Sequence, residues 1–287
     1  MLLRNLFNKM KKKFGIMQGR LLPKYQGRYQ AHPVNYWRDE FPIASKLGLD
    51  SIEFILDYND VEKNPLLAPG GIDDILEIEK SSGVSVRSIC ADYFMEAPLH
   101  SNDINVVDKS LNILNNLIKN ASLLNVTDIV IPCVDQSSLK NKKNINNFVN
   151  NIKSVIGTAE SFNINISLET DLAPLPFANL IETINSKNLT VNYDIGNSAA
   201  LGYDPDEEFK LYGYKITDIH IKDRLFGGVS VPLGSGDADF SKIFELLLKM
   251  KYEGIIIFQA FRDDEGVKIF KEQMSWFLKK TNIRLND

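Results

Sequence analysis

The chain has 287 residues, 44% of them hydrophobic, with a formal net charge of −4 and an isoelectric point near 5.6. Length and apolar content suffice for one large α/β core, and the acidic balance argues against a protein that follows a phosphate backbone. Cys90 and Cys133, the only cysteines, lie in separate predicted strands without metal-type spacing, which argues against a disulfide framework or zinc knuckle and fits a cytoplasmic location.

Residues 1–13 carry Lys9, Lys11, Lys12 and Lys13 behind an apolar stretch too broken for a signal peptide, and read as a basic leader before a barrel domain at 14–287. With little apolar partner surface, such a leader reads as a solvated tail rather than a membrane anchor. No run approaches the roughly 20 apolar residues that a spanning helix needs. Eight short apolar runs follow, at 14–17, 51–56, 86–91, 128–131, 164–168, 190–193, 218–221 and 255–258. Amphipathic segments separate them at 36–47, 72–81, 104–124, 145–162, 177–186, 206–211, 240–250 and 267–279. In 104–124, Val107, Leu111, Leu114, Leu117, Ile118, Ala121 and Leu124 share one helical face. Gly48, Gly83, Asn125 and Gly254 stand where helix C-caps are expected. Eight alternations predict a single eight-stranded parallel (β/α)8 TIM barrel rather than an open doubly wound sheet of about six strands. Gly15, Gly19 and Gly27 lack the spacing of a dinucleotide loop. The longest connections, 18–35 and 57–71, fall on the C-terminal rim, where functional loops belong.

Three strand ends carry the chemistry. The run 216–223 reads Ile-Thr-Asp-Ile-His-Ile-Lys-Asp and brings His220 to the end of the seventh strand. Glu169 ends the fifth strand and Asp194 the sixth, each one βα unit from the next. A lone histidine in an apolar strand is usually a satisfied core residue. Two carboxylates and an imidazole converging on one cavity form instead an O and N donor set for one divalent metal, Mn, Mg, Co or Zn. Gln259 ends the eighth strand and offers a neutral amide oxygen as a fourth ligand.

Glu in strand five, Asp-x-Gly-Asn in strand six, His-x-Lys-Asp in strand seven and Pro-Leu-Gly-x-Gly-x-x-Asp-Phe at 232–240 together resemble the xylose isomerase-like sugar phosphate isomerase/epimerase superfamily. The opening Gly-Ile-Met-Gln-Gly-Arg-Leu at 15–21 looks like one branch of it, and the likeness spans 14 to about 280. The resemblance implies one metal on Glu169, Asp194, His220 and the strand-eight residue, with glutamates of strands five and eight acting as opposed bases. Gln259 stands where that second glutamate belongs, and an amide accepts no proton. The expected activity is therefore metal-assisted isomerisation or epimerisation of a small sugar or sugar phosphate through an enediolate, with Glu169 as base. Lys222 is a further catalytic candidate, whose alternative is a rim ion pair with Asp223, and Glu53 could be the acid or base that Gln259 is not. Arg20, Asp92, His100 and Arg262 are candidate substrate contacts. A keto-polyol dehydratase and a catalytically degenerate sugar-binding protein are the alternatives. An apurinic endonuclease fits poorly with three histidines and an acidic chain. No nucleic-acid or membrane partner is expected, and homo-oligomerisation stays open.

Overall fold

The computed structural model describes residues 14–264 and 266–281. The basic leader 1–13 lies outside the described residues. Eight parallel strands close a barrel in which each pairs with its sequence neighbours and the last returns to the first. They are β1 Phe14–Met17, β2 Ser51–Ile55, β3 Ser85–Cys90, β4 Asp128–Cys133, β5 Asn165–Thr170, β6 Leu189–Asp194, β7 Ile216–Ile221 and β8 Ile255–Phe258. β-Branched runs such as Ile255-Ile256-Ile257 suit a sheet that is covered on both faces.

Alternation along each strand divides the core in two. Outward residues, among them Ile52, Phe54, Ile129, Ile166, Ile219 and Phe258, join the large cluster beneath the surrounding helices. Met17, Ile55, Cys90, Val130, Ile255 and Ile257 form a separate apolar cluster; Ile255 and Ile257 alternate with outward Ile256 and Phe258, so this cluster fills part of the lumen. Several of the same strands also bring polar residues inward: Glu53, Ser88, Asp128, Ser167, Asn192 and Asp218 are all buried, the first three standing two positions before Ile55, Cys90 and Val130. Register shifts between Ile52 and Glu53 and between Val191 and Asn192 adjoin two of these polar residues, as expected of bulges that re-aim side chains beside a site.

Side-chain caps start several helices: Asp103 accepts from Asn105 N, Asn141 from Asn144 N and Asp239 from Lys242 N. Gly48, Gly83 and Asn125 take the left-handed conformation expected of them, whereas the turn before β8 uses Lys251 rather than Gly254. The segment after β6 departs from the expected single helix. It folds into Ile195–Leu201, capped by Asp194, and Pro205–Tyr212, capped by Asp204. Gly196-Asn197-Ser198 reads as a turn by propensity, but the cap and burial of Ile195, Ser198 and Ala200 make it helical.

The long connection after β1 is tied down from below. Glu40, at the start of helix Glu40–Lys46, accepts from Gly19 N at 2.6 Å through Oε2 and from Leu21 N at 2.9 Å through Oε1. Among the described residues no helix is long and apolar enough to cross a membrane.

At Gly15, a Cβ would overlap Ser51 Oγ and Ile257 Cδ1. Gly15→Ala is therefore expected to lower stability by about 1–3 kcal/mol through overpacking, seen as a lower urea midpoint at unchanged m. An unmoved midpoint would show slack in this end of the lumen.

Candidate active site

The C-terminal strand ends surround a cavity of about 550 Å³, a size suited to a small ligand. Glu169, Lys222 and Gln259 line it, while Asp194 and His220 lie behind them with side chains 1% and 0% exposed.

His220 is held from below. Its Nε2 is 2.8 Å from Glu53 Oε1, and Ser88 Oγ donates to Glu53 Oε2 at 2.6 Å. Asn192 Nδ2 can only donate and lies 3.1 Å from Nδ1, so Nδ1 accepts and the ring proton sits on Nε2, toward Glu53. Nδ1 faces Asn192 Nδ2 at 3.1 Å, Glu169 Oε2 at 3.8 Å and Asp194 Oδ2 at 3.9 Å. Burial pushes Glu53 up to about 7. Asp218 beside it is raised well above the ordinary carboxyl range, by burial first and by the Glu53 charge second.

Glu169 stands between this buried layer and the cavity. Its Oε1 accepts from Asn197 Nδ2 and its Oε2 from Asn192 Nδ2 at 3.2 Å. Burial, reinforced by the neighbouring Asp194 charge, raises it to about 7, with His220 and Lys222 acting in opposition. Lys222 reaches across, its Nζ 3.1 Å from Asp194 Oδ2 and 3.3 Å from Gln259 Oε1. A Cβ at Gly196 would strike the Lys222 stem, so the glycine leaves the lysine room to cross the helix start.

One ligand atom each from Glu169, Asp194 and His220 lies within 4.8 Å of the others. Two carboxylate oxygens and an imidazole nitrogen backed by a second carboxylate make a donor set that fits a divalent cation. Gln259 is differently engaged: its Oε1 accepts from Lys222 and its Nε2 donates to Gln30 Oε1 at 3.3 Å.

The other expected contacts divide. Asp92 lines the cavity and accepts from Gln30 Nε2 at 2.8 Å. Arg20 lies outside this cavity's wall, donating to the Tyr29 carbonyl at 3.1 Å and to Gln30 Oε1 at 2.9 Å; burial lowers it to about 10. Arg262 donates to the Leu22 carbonyl at 2.8 Å and so braces the loop after β1. His100 is buried beyond the cavity wall, and its carbonyl accepts from Asn147. Glu53 lies under His220 rather than on the wall. Asp223 does not pair with Lys222 but accepts from Gly234 N, Gly236 N and Ala238 N, anchoring the Pro-Leu-Gly-x-Gly loop.

Asn197 of the Asp-x-Gly-Asn motif lines the cavity, as do Gln30, Arg28 and Arg224, which the sequence did not single out. Asn192 and Asp218 each precede a named residue by two, so strand alternation alone places them in the lumen with Asp194 and His220. Gln30 and Arg28 sit in an aperiodic loop that carries no such signal.

Residues 41–280 match the family described as Xylose isomerase-like TIM barrel. The chain is 25% identical over 272 residues to the putative L-ribulose-5-phosphate 3-epimerase SgbU of Haemophilus influenzae, covering 88% of this chain and 94% of that protein. Among solved structures, a D-tagatose 3-epimerase-like protein superposes with a TM-score of 0.71 at 19% identity, covering 94% of this chain and 98% of the other. IOLI protein with a binding zinc atom gives 0.72 at 16%, with the same coverage. Structural likeness at such identities speaks for the fold alone.

Glu53 positions the imidazole, and two measurements check this. Imidazole nitrogen NMR of the wild type should show the Nε2–H tautomer of His220 alone. Glu53→Leu, which strands Nε2–H and Ser88 Oγ, should cost about 1–3 kcal/mol in urea unfolding; mixed tautomers in the wild type would contradict the assignment.

Proposed function

The chain belongs to the xylose isomerase-like TIM barrel family, and within it we propose a divalent-metal-dependent isomerase or epimerase of a small sugar, working through an enediolate. One observation carries the reading: Glu169 lies on the cavity wall with Oε2 3.8 Å from the His220 nitrogen lone pair, so one carboxylate borders both ligand and cation set. The relatives' names, sugar epimerases among them, support the reaction class.

Glu169, Asp194 and His220 would hold the cation, which when bound supplies Lewis-acid stabilisation of negative charge developing on the sugar oxygens. Glu169 removes the proton α to the carbonyl, and Asn197, donating to its Oε1, keeps the carboxylate directed into the cavity. Returning that proton to the adjacent carbon on the same face, while the hydroxyl proton passes between the two neighbouring oxygens, gives aldose–ketose isomerisation without an acid on the opposite face. Inversion of a centre needs a donor on the opposite face. Gln259 cannot serve; Lys222, which lines the cavity and donates to Gln259 Oε1 at 3.3 Å, is the proton-bearing group at that strand end. Asp92 and Gln30 offer acceptor and amide groups to hydroxyls.

The test is proton exchange in deuterated water across a panel of ketoses and aldoses. Label is expected at the carbon α to the carbonyl, with Glu169→Gln slower by about 10²–10⁴-fold. Undiminished exchange in Glu169→Gln would remove the base assignment, and water loss in the product would indicate the dehydratase instead. His220→Ala should lower the divalent metal retained on elemental analysis, and equal retention would remove the cation set.

A further inference from the structure

The charges on the cavity wall bear on what the ligand can be. Among the described residues, six lining carboxylates, Asp57, Asp92, Glu96, Asp135, Glu169 and Asp171, face four lining cations, Arg28, Lys140, Lys222 and Arg224. Each cation is already engaged. Arg28 makes a two-pronged pair with Asp57 at 2.6 and 3.0 Å. Lys140 lies 2.9 Å from Asp171, and Lys222 is held by Asp194 and Gln259. Arg224 spends Nε and Nη2 on the Gly228 carbonyl and Nη1 on Asn197 Oδ1 at 2.7 Å. Even the helix beginning at Ile195, whose N-terminus would suit an anion, is capped by Asp194.

A phosphate monoester brings only acceptor oxygens and up to two negative charges, so it needs uncommitted donors and positive potential. On this wall carboxylates outnumber cations six to four, and the N–H groups the cations keep belong to side chains already held by neighbours. A divalent cation counted together with Asp194 leaves the balance negative. A polyol brings hydroxyl protons, and carboxylates and amide oxygens are the groups that receive them. Asp92 Oδ2, which takes one bond from Gln30 Nε2 at 2.8 Å, and Gln259 Oε1, which takes one from Lys222 at 3.3 Å, each keep a lone pair for a hydroxyl.

We infer that the cavity takes an uncharged polyol, a free ketose or aldose, and discriminates against sugar phosphates. For the reaction this rests on the isomerase reading above; the charge count stands without it. It also separates this chain from the relatives named for a 5-phosphate.

The experiment has two arms on wild-type protein, with and without added Mn²⁺. In the first, deuterium exchange is followed on free ketohexoses, free ketopentoses and a ketopentose 5-phosphate. The free sugars should exceed the phosphate by about a hundredfold in kcat/KM, the scale of unfavourable like-charge placement; equal or better turnover of the phosphate overturns the inference. If nothing exchanges, the isomerase reading fails and the second arm decides. There, calorimetric titration should give heat with free ketoses and none with inorganic phosphate. Phosphate binding as tight as the sugars, or no sugar binding at all, overturns the inference. Asp57→Asn and Asp171→Asn release Arg28 and Lys140, and each should shift the free-sugar to phosphate preference toward phosphate by about tenfold. No shift in either, with unaltered circular dichroism, would show that these carboxylates are not what withholds the cations.

Discussion

Everything at the mouth of this barrel depends on a fully buried histidine between carboxylates. His220 is 0% exposed, with Glu53 at 2.8 Å on one nitrogen and Glu169 and Asp194 within 4 Å of the other. An imidazole and several carboxyls cannot enter an apolar interior singly, because an unpaired buried polar group or charge is costly. Within the lumen Met17, Ile55, Val130 and Ile257 form an apolar cluster, while Glu53, Ser88, Asn192, Glu169 and His220 are joined by hydrogen bonds. Ser88 serves Glu53, Asn192 spans Glu169 and His220, and Glu53 and Asp218 lie side by side with raised proton affinity. The two register shifts fall at Glu53 and Asn192, which reach His220 from across the lumen and from the adjacent strand.

That layer explains what the sequence disclosed and what it withheld. The eight strands were legible because period-two runs end at regular intervals, and Glu169, Asp194 and His220 because they stand at those ends. Asp218 and Asn192 were equally legible by parity but carry no distinctive chemistry when read singly. Glu53 was visible as an acid at a strand end; its depth was not, since β2 places it one layer below the cavity, against Ser88, His220 and Asp218. Arg20 and Arg262 illustrate a different failure. Guanidinium groups near a rim suggest ligand contacts, but here backbone carbonyls of a long loop needed donors, and the arginines supply them. Arg28 and Gln30 belong to the same loop, where no periodicity indicates which side chains turn inward.

The His-x-Lys-Asp segment shows how adjacent residues of one strand end serve separate structures. His220 faces the lumen. Lys222, two residues on, points the same way one layer higher and crosses Gly196 to reach Asp194. Asp223 turns away and gathers three backbone N–H groups of the loop that follows. A Cβ at Gly236 would overlap the Asp223 carboxylate, so the glycines of that loop and the aspartate are one arrangement.

Gln259 closes the circle around Lys222. A glutamate in its place would meet the ammonium as a second ion pair, and the lysine would be shared between two carboxylates. The amide instead offers Lys222 a neutral acceptor at 3.3 Å and passes its own N–H to Gln30, which in turn holds Asp92 and receives Arg20. Exchanging a carboxylate for an amide at the end of β8 thus removes one negative charge where the wall is already acidic and leaves Lys222 paired chiefly with Asp194. It also makes the hydrogen-bonded chain from strand seven through strand eight to the loop after strand one continuous, because an amide both accepts and donates where a carboxylate only accepts. The residue that breaks the expected two-carboxylate pattern is therefore the one that joins the ends of β7 and β8 to the loop carrying Arg28 and Gln30.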